Sequence, residues 1–274
     1  MKADLHNHSY YSDGVLSPAE LVEQSNKAGC DLFSLTDHDT TEGIIEAQLE
    51  ADKLGVTLIN GVEISAFWHN MAIHIVGLGI DINSDILQSG LEHNRELRKV
   101  RAEKIALGLW RSGIKDALEK AQKISRGSML TRTHFAQMLI KEGYCKDMKS
   151  VFRRYMTGKK PGGVRVEWKS FDEVIYWIHS AGGKALIAHP FRYRMTHTKI
   201  KKMLYDFKEA SGDGFEVVNA NSSEEEISLG NQWSENYNLL ASCGSDFHGW
   251  PNQRIQIGNI SDLPNPRRAV WSYL

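Results

Sequence analysis

The segment Asp4-Leu5-His6-Asn7-His8 sets two imidazoles two residues apart near the start of the chain. In an extended segment, residues i and i+2 share a face, so His6 and His8 leave the backbone side by side, spaced to grip one metal ion. Asp4 falls on that face one step earlier. Groups of similar chemistry recur at wide intervals: Asp13, Asp37-His38-Asp39, Glu63, His74, His189 and Asp246-Phe247-His248. Mixed imidazole and carboxylate donors without thiolates suit zinc, manganese or iron, and a carboxylate can bridge two ions about 3.5 to 4 Å apart. Each ion needs roughly four ligands or more, so donors this numerous sort into clusters, not a single pair.

The elements that must position them alternate between strand and helix. Ser17-Pro18-Ala19-Glu20 reads as a helix start, with an N-cap serine, proline at the first helical position and a glutamate closing a capping box. That helix runs to about residue 28. The apolar run 31–36 is a buried strand that delivers Asp37 and His38 at its end. Residues 42–54 read as helix and 56–60 as strand, continued by 61–65 with Glu63 at its edge. Residues 73–78 form a further strand carrying His74. From about 84 to 156 the sequence is charged and helix-forming, with helices expected at 87–112, 114–124, 133–142 and 148–156. The alternation resumes with helix 171–181, strand 184–188 ending in His189-Pro190, helix 198–210, strand 214–218, helix 223–236 and strand 239–243. Ile255, Ile257 and Ile260 suggest a last edge strand. Short links between alternating elements predict a parallel sheet or barrel. In such folds functional residues collect where strands end, and the histidines and carboxylates named above sit in or just after strands. His69, His93 and His179 lack that context.

Composition bounds the partners. Over 274 residues, Lys+Arg at 33 balance Asp+Glu at 34, which excludes the global basic field of a protein that coats long nucleic acid. Local cation clusters remain. Arg132 and His134 begin a helix of the charged block, and a helix N-terminus with an arginine is an anion clamp. Arg165 and Arg192, with Lys159, Lys160 and Arg194, would lie near the mouth. The glycine loop around Lys159-Lys160 lacks the G-x-x-x-x-G-K-[ST] pattern of a phosphate loop. Cys30, Cys145 and Cys243 are far apart and free of C-x-x-C spacing, which argues against disulfides or thiolate zinc and for a reducing cytoplasm. No signal peptide or membrane-spanning run is evident.

The motifs D-L-H-x-H-S-x-x-S-D-G at the start, L-T-D-H-D-T at 35–40, G-V-E-I-S at 61–65, I-A-H-P at 187–190 and G-S-D-F-H at 244–248 resemble those of the PHP superfamily. These are metal-dependent phosphoesterases related to histidinol phosphatases and to a domain of bacterial replicative polymerases. The T-R-T-H stretch at 131–134 and the helical block are most similar to the nucleotide-phosphatase branch, which acts on 3′,5′-bisphosphonucleotides and short 5′-phosphorylated RNA. The resemblance implies an α/β fold, a distorted (β/α)7 TIM-like barrel formed by 1–83 and 157–274, with 84–156 as a helical insertion covering the active site. It implies two or three divalent ions, manganese first, with zinc or iron as alternatives. His6, His8, Glu63 and Asp246 would hold the first, Glu63, His74 and His189 the second, and Asp13, His38 and His248 the third, with His69 competing for the place of His74. Asp37 or His189 would handle protons. Arg132, His134, Arg165 and Arg192 would bind substrate, and Asp4 or Asp39 would orient imidazoles. The implied reaction is hydrolysis of a phosphate monoester by a metal-activated water. Histidinol phosphatase is the alternative within the family. A non-catalytic metal-dependent module binding nucleic-acid ends or proteins is the alternative outside it. An amidohydrolase would need a metal-bridging lysine at a strand end, and no lysine is so placed.

Overall fold

The computed structural model describes residues 1–127, 129–250 and 254–274. Two sheets organise it. The smaller joins β1 (Ala3–Asp4), β2 (Leu32–Phe33) and β3 (Thr57–Leu58) in parallel, in that order. The larger runs β4 (Gly61–Trp68), β5 (Met71–Leu78), β6 (Lys184–Ile187), β7 (Gly214–Asn219) and β8 (Leu240–Gly244). β5 is antiparallel to both of its neighbours, β4 and β6, and β6, β7 and β8 are parallel.

Backbone bonds connect the sheets at two places. Beyond β2, Asp39 N donates to Glu63 O at 2.9 Å and Glu63 N to Asp37 O at 3.2 Å. Beyond β1, Leu5 N donates to Cys243 O at 3.1 Å, Asp246 N to His6 O at 2.8 Å and His8 N to Phe247 O at 2.9 Å. The segments carrying His6, His8, His38 and Asp246 are therefore held by their backbones even where they leave regular strands. The approach of residue 6 to β8 is close enough that a Cβ on Gly244 would stand 2.3 Å from His6 Cβ.

The helices form where local chemistry stops and starts them. Ser17 accepts from Glu20 N and Glu20 returns the bond to Ser17 N, opening α1 (Pro18–Lys27) as expected. α2 (Ile44–Leu54) ends at Gly55 in the left-handed conformation. The charged block folds as α3 (Asp85–Arg111), α4 (Ala117–Gln122), α5 (Arg132–Lys141) and α6 (Met148–Val151), the last running into a π-turn at Phe152–Met156. α7 (Phe171–Ser180), α8 (His197–Glu209) and α9 (Glu224–Asn236) return to the β-sheet pattern.

Burial follows the same division. The principal core packs the larger sheet against α7, α8 and the N-terminal half of α3, with Ile64, Ile75, Leu186, Phe207 and Phe215 almost wholly buried. The charged block has a core of its own, from Ile105 and Leu109 of α3 to Phe135 and Leu139 of α5. A third cluster packs α1 and α2 on Phe33 and Leu35. The expected edge strand at Ile255, Ile257 and Ile260 is not one. Ile257 is instead buried in this third cluster, and Gly258 N donates to Asp4 Oδ2 at 2.8 Å, so apolar burial and a side-chain acceptor replace ladder pairing.

Candidate active site

The ends of the strands converge. Extended backbone at residues 6–8 puts both imidazoles on one side, with His6 Nε2 and His8 Nε2 3.1 Å apart and both side chains fully buried. From β4, Glu63 reaches the same point. Its Oε1 is 2.9 Å from His74 Nδ1, 3.1 Å from His189 Nε2 and 3.4 Å from His6 Nε2. Its Oε2 lies 2.7 Å from His38 Nδ1 and 3.3 Å from His8 Nε2. Asp246 Oδ1 stands 3.2 Å from His8 Nε2, and Asp13 Oδ1 stands 3.3 Å from His248 Nε2.

Four overlapping groups result, each with donor atoms within 4.8 Å of one another: His8, Asp13, His38 and His248; His6, Glu63 and His189; His6, His8 and Asp246; and His38, Glu63 and His74. The sequence-based partition differs in detail, since His8 stands with both the Asp13 and the Asp246 groups. Four buried atoms of the set, Asp13 Oδ1, His38 Nδ1, Glu63 Oε2 and His189 Nδ1, have no hydrogen-bond partner. The 2.7 Å approach of His38 to Glu63 is thus a close contact without hydrogen-bond angles. Buried polar atoms left unpaired and aimed at common points are what a cation site requires, and the donor set suits divalent ions.

Charge in the cluster is arranged to the same end. Burial opposes ionisation of Glu63, but the imidazoles of His74, His38 and His6 outweigh it and hold its carboxyl well below the usual range. His248 does the same for Asp13 and, with Arg192, for Asp246, again against burial. Burial and the nearby His248 push His8 down to about 3, which keeps its ring neutral with one nitrogen lone pair free. His189 and Asp246 hold positive φ angles of 32° and 54°. Such backbone is costly for residues other than glycine and collects at functional sites. His189 is kept there by its N–H, which donates to Glu216 Oε2 at 2.6 Å.

Glu216 is a site residue that sequence reasoning missed. From β7 it also places Oε1 2.5 Å from His6 Nδ1, so one carboxylate orients two members of the cluster. A carboxylate in the middle of the apolar run Phe215–Val218 was the available signal, because a buried charge needs partners. Asp4 and Asp39, expected to orient imidazoles, do other work. Asp4 accepts from Asn7, Ser245 N and Gly258 N, while Asp39 binds Arg98 Nε at 2.6 Å and Ser65 N at 2.9 Å, tying α3 to β4. Asp37 also turns away from the cluster. It accepts from Ser9 N, Ser9 Oγ and Ser12 Oγ, and burial pushes it up to about 6 against those bonds. His69 occupies the β4–β5 turn, where it and Asn70 have φ of 42° and 64°, so its ring faces solvent and Asp206 while His74 meets Glu63.

A cavity of about 460 Å³ opens beside the cluster. Its lining brings Asp13, His38 and His74 of the cluster together with Arg98, Arg101 and Arg132. Arg98 and Arg101 lie one turn apart on α3 and were not anticipated. Their i, i+3 spacing was the signal, but which way that face points depends on packing. Arg101 Nε has no partner, and burial beside the charges of Arg132 and Arg98 pushes its guanidinium down to about 8. A cation concentration of this kind is relieved by an anion. Arg98, Arg132 and Arg165 each lie over an aromatic ring, those of Trp168, Phe152 and Phe67. Arg165 lines the cavity from an exposed position, bonded to Asn70 O at 2.9 Å. His134 instead commits Nδ1 to Thr131 N at 3.2 Å as part of the α5 cap and does not line the cavity. Arg192 pairs with Asp246 and lines a separate, smaller cleft. Lys159, Lys160 and Arg194 are exposed.

The chain matches the PHP domain over residues 4–210. It is 40% identical over 272 residues to a 3′,5′-nucleoside bisphosphate phosphatase of Chromobacterium violaceum, covering 99% of this chain and 95% of that one. It is 39% identical to a 5′-3′ exoribonuclease of Haemophilus influenzae, covering 98% of each. Among solved structures, a protein of Chromobacterium violaceum described as an amidohydrolase with bound sulfate and no metal superposes with a TM-score of 0.94 at 40% identity, covering 100% of this chain and 95% of that one. One of Bifidobacterium adolescentis, described as a candidate metal-dependent phosphoesterase, has a TM-score of 0.78 at 26% identity, with 93% and 92% covered. No helix among the described residues is long and apolar enough to cross a membrane. The converging histidines and carboxylates, the motifs that carry them and these likenesses together establish that the chain belongs to the PHP domain family of phosphoester hydrolases.

Proposed function

We propose that the protein hydrolyses the 3′-phosphoester of a nucleotide that also carries a 5′-phosphate, the reacting phosphate lying at the imidazole–carboxylate cluster and the second at Arg98, Arg101 and Arg132. The observation that carries this reading is the unpartnered Arg101 Nε in a cavity that Asp13, His38 and His74 of the cluster also line. A ligand with two phosphates satisfies both walls at once, and arginine forks suit phosphate oxygens. The names of both relatives fit a bond of this kind, since a bisphosphate phosphatase and a 5′-3′ exoribonuclease can each break P–O3′ while a 5′-phosphate is held.

His6, His8, Glu63 and Asp246 are assigned to one divalent ion, Glu63, His74 and His189 to a second, and Asp13, His38 and His248 to a third. Manganese is the first choice and zinc or iron the alternatives, in keeping with a donor set without thiolate; the three cysteines are buried and free. When bound, such ions lower the pKa of water and offset charge on the reacting phosphate. The chain's own part is to orient the donors through Glu216, to anchor the substrate through its arginines and to exclude bulk water by burial. Of the two groups considered for proton transfer, His189 faces the cluster and Asp37 braces the loop behind it. No lysine pairs with Asp13, Glu63 or Asp246 among the described residues, which disfavours an amidohydrolase of the lysine-bridged kind.

We read the two sheets as one distorted barrel of seven strands, β3 and β4 counted as one. The backbone bonds at residues 37–39 and 5–8 support this. Residues 84–156 are read as an insertion with its own core over the mouth. The deciding experiment measures phosphate release from 3′-phosphoadenosine 5′-phosphate, AMP, 5′-phosphorylated RNA and histidinol phosphate, with manganese, zinc or iron added to stripped protein. Release from the bisphosphate that vanishes in His6→Ala is the expected result. Equal release from AMP would remove the role of the arginines, and an inert protein that still binds its metals would favour a binding module.

A further inference from the structure

The arginine end of the cavity has a neighbour. A groove of about 650 Å³ lies between α3 and residues 164–169, and Arg101, Val164, Arg165, Val166 and Trp168 line both spaces. Among the described residues, the groove takes its lining from these two segments and from no histidine or carboxylate of the cluster.

The sequence accounts for both walls. His93, Leu97, Arg101 and Lys104 fall at helical spacing on one face of α3. Arg98, Arg101 and Lys104 are three apart, an oblique row that climbs the helix in steps of about 4.5 Å. Arg98 lines the cavity, Arg101 both spaces and Lys104 the groove. On the other wall apolar and charged residues alternate from Val164 to Trp168, the period of extended chain. Burial follows that alternation, with Arg165 and Glu167 exposed and Trp168 buried.

Charge is shared unevenly between the two spaces. In the cavity Arg98 is already answered by Asp39 at 2.6 Å, which leaves Arg101 and Arg132 for the roughly two charges of one terminal phosphate. In the groove Arg101, Lys104, Arg165 and Lys169 meet a single carboxylate, Glu167, and of the four Lys169 also pairs with Glu173 at 3.0 Å. Arg101, whose Nε has no partner, belongs to both spaces. A surplus of cations beside an arginine with an open donor fits further anionic charge joined to the first phosphate.

We propose that the groove receives a second phosphate linked to the 5′-phosphate, so that nucleotides bearing a 5′-diphosphate and a 3′-phosphate are substrates. The inference rests on the function proposed above and names a substrate class for the same site. The first 5′-phosphate stands on Arg132 and Arg101, and the next on Arg101, Lys104 and Arg165. Water adds hydroxyl to the 3′-phosphorus, the P–O3′ bond breaks and O3′ takes the remaining proton. The products are inorganic phosphate and a nucleoside 5′-diphosphate whose P–O–P bond is untouched.

The test compares kcat/KM for adenosine 3′-phosphate 5′-diphosphate with that for 3′-phosphoadenosine 5′-phosphate, in the wild-type holoenzyme and in Lys104→Gln. Lys104 is exposed and lines the groove but not the cavity, and metal content with melting temperature checks the fold. The expected wild-type ratio is one or more, with ADP as the product, and it falls about five- to tenfold in Lys104→Gln at low ionic strength. A wild-type ratio below one, or a ratio that Lys104→Gln does not move, overturns the assignment of the groove while leaving the function standing. Release of the terminal 5′-phosphate in place of the 3′-phosphate does the same, because it puts the diphosphate at the cluster. Wild-type inertness toward both substrates overturns the function as well.

Discussion

Replacing Glu216 by glutamine separates the orientation of the cluster from its mere presence. Both carboxylate oxygens are engaged, Oε1 with His6 Nδ1 at 2.5 Å and Oε2 with the His189 N–H at 2.6 Å. Two acceptors are needed, and glutamine has one. If its oxygen stays on the His189 amide, its NH2 faces His6 Nδ1, which must then accept. The His6 proton moves to Nε2, the nitrogen that stands 3.4 Å from Glu63 and 3.5 Å from Asp246. The lone pair aimed into the cluster is lost. If the amide turns over, the His189 N–H meets a donor, and a buried group left unsatisfied costs about 1 to 3 kcal/mol. That orientation also loosens a residue held at φ 32°. Outer partners of metal-binding histidines are worth about 10- to 100-fold in metal affinity, or roughly 1.4 to 2.7 kcal/mol. Calorimetric titration of manganese into stripped Glu216→Gln is therefore expected to show weaker binding by that factor, with circular dichroism unchanged. Affinity indistinguishable from wild type, in a protein whose His6→Ala variant binds poorly, would refute the orienting role.

Other perturbations read different parts of the structure. Arg101→Met should lower kcat/KM for a nucleotide with two phosphates by about 10- to 100-fold while leaving simple phosphate esters little affected. The same change should raise the melting temperature of the ligand-free protein, because it removes a half-buried guanidinium whose Nε has no partner and whose neighbours are like charges; a fall in both would mean that the guanidinium is structural. Gly244→Ala drives a Cβ to 2.8 Å from His6 N, and denaturant titration should show a loss of about 1 to 3 kcal/mol together with reduced metal content. Removing divalent ions with a chelator should abolish activity and lower the melting temperature. Restoring manganese to about 100 times its Kd should return about 2.7 kcal/mol per site.

Much of the cluster was legible in the sequence, because side chains at strand ends stand beside turn residues that mark where strands stop. His6, His8, His38, Glu63, His189 and Asp246 could be placed that way. Where the chain's path between elements decides the outcome, the sequence was mute. Glu216 sits inside a strand, not at its end. Arg98 and Arg101 are two of many charges on α3, and only packing tells which face meets the cavity. The choice between His69 and His74 turned on where a two-residue turn falls. Asp4 and Asp39 were misread because their partners are backbone amides and an arginine distant in sequence. Ile255, Ile257 and Ile260 have the composition of a strand, but Ile255 and Ile257 pack with the cluster under α1 and Ile260 on the principal core instead of pairing in a ladder.

The seam between the first residues and the last strand has a consequence in time. His6 and His8 are made long before the groups that hold and complete them, Glu216, Asp246 and the backbone of Cys243 and Phe247. Contacts this remote in sequence must wait for the intervening loop to close, which slows their formation. Until residues 216–248 fold against residues 5–8, the cluster lacks Asp246, His248 and the carboxylate that orients His6. A chain cut short before β7 would lack both the carboxylate that orients His6 and the aspartate that completes its group, so the cluster takes shape only when the first residues and the last strand have met.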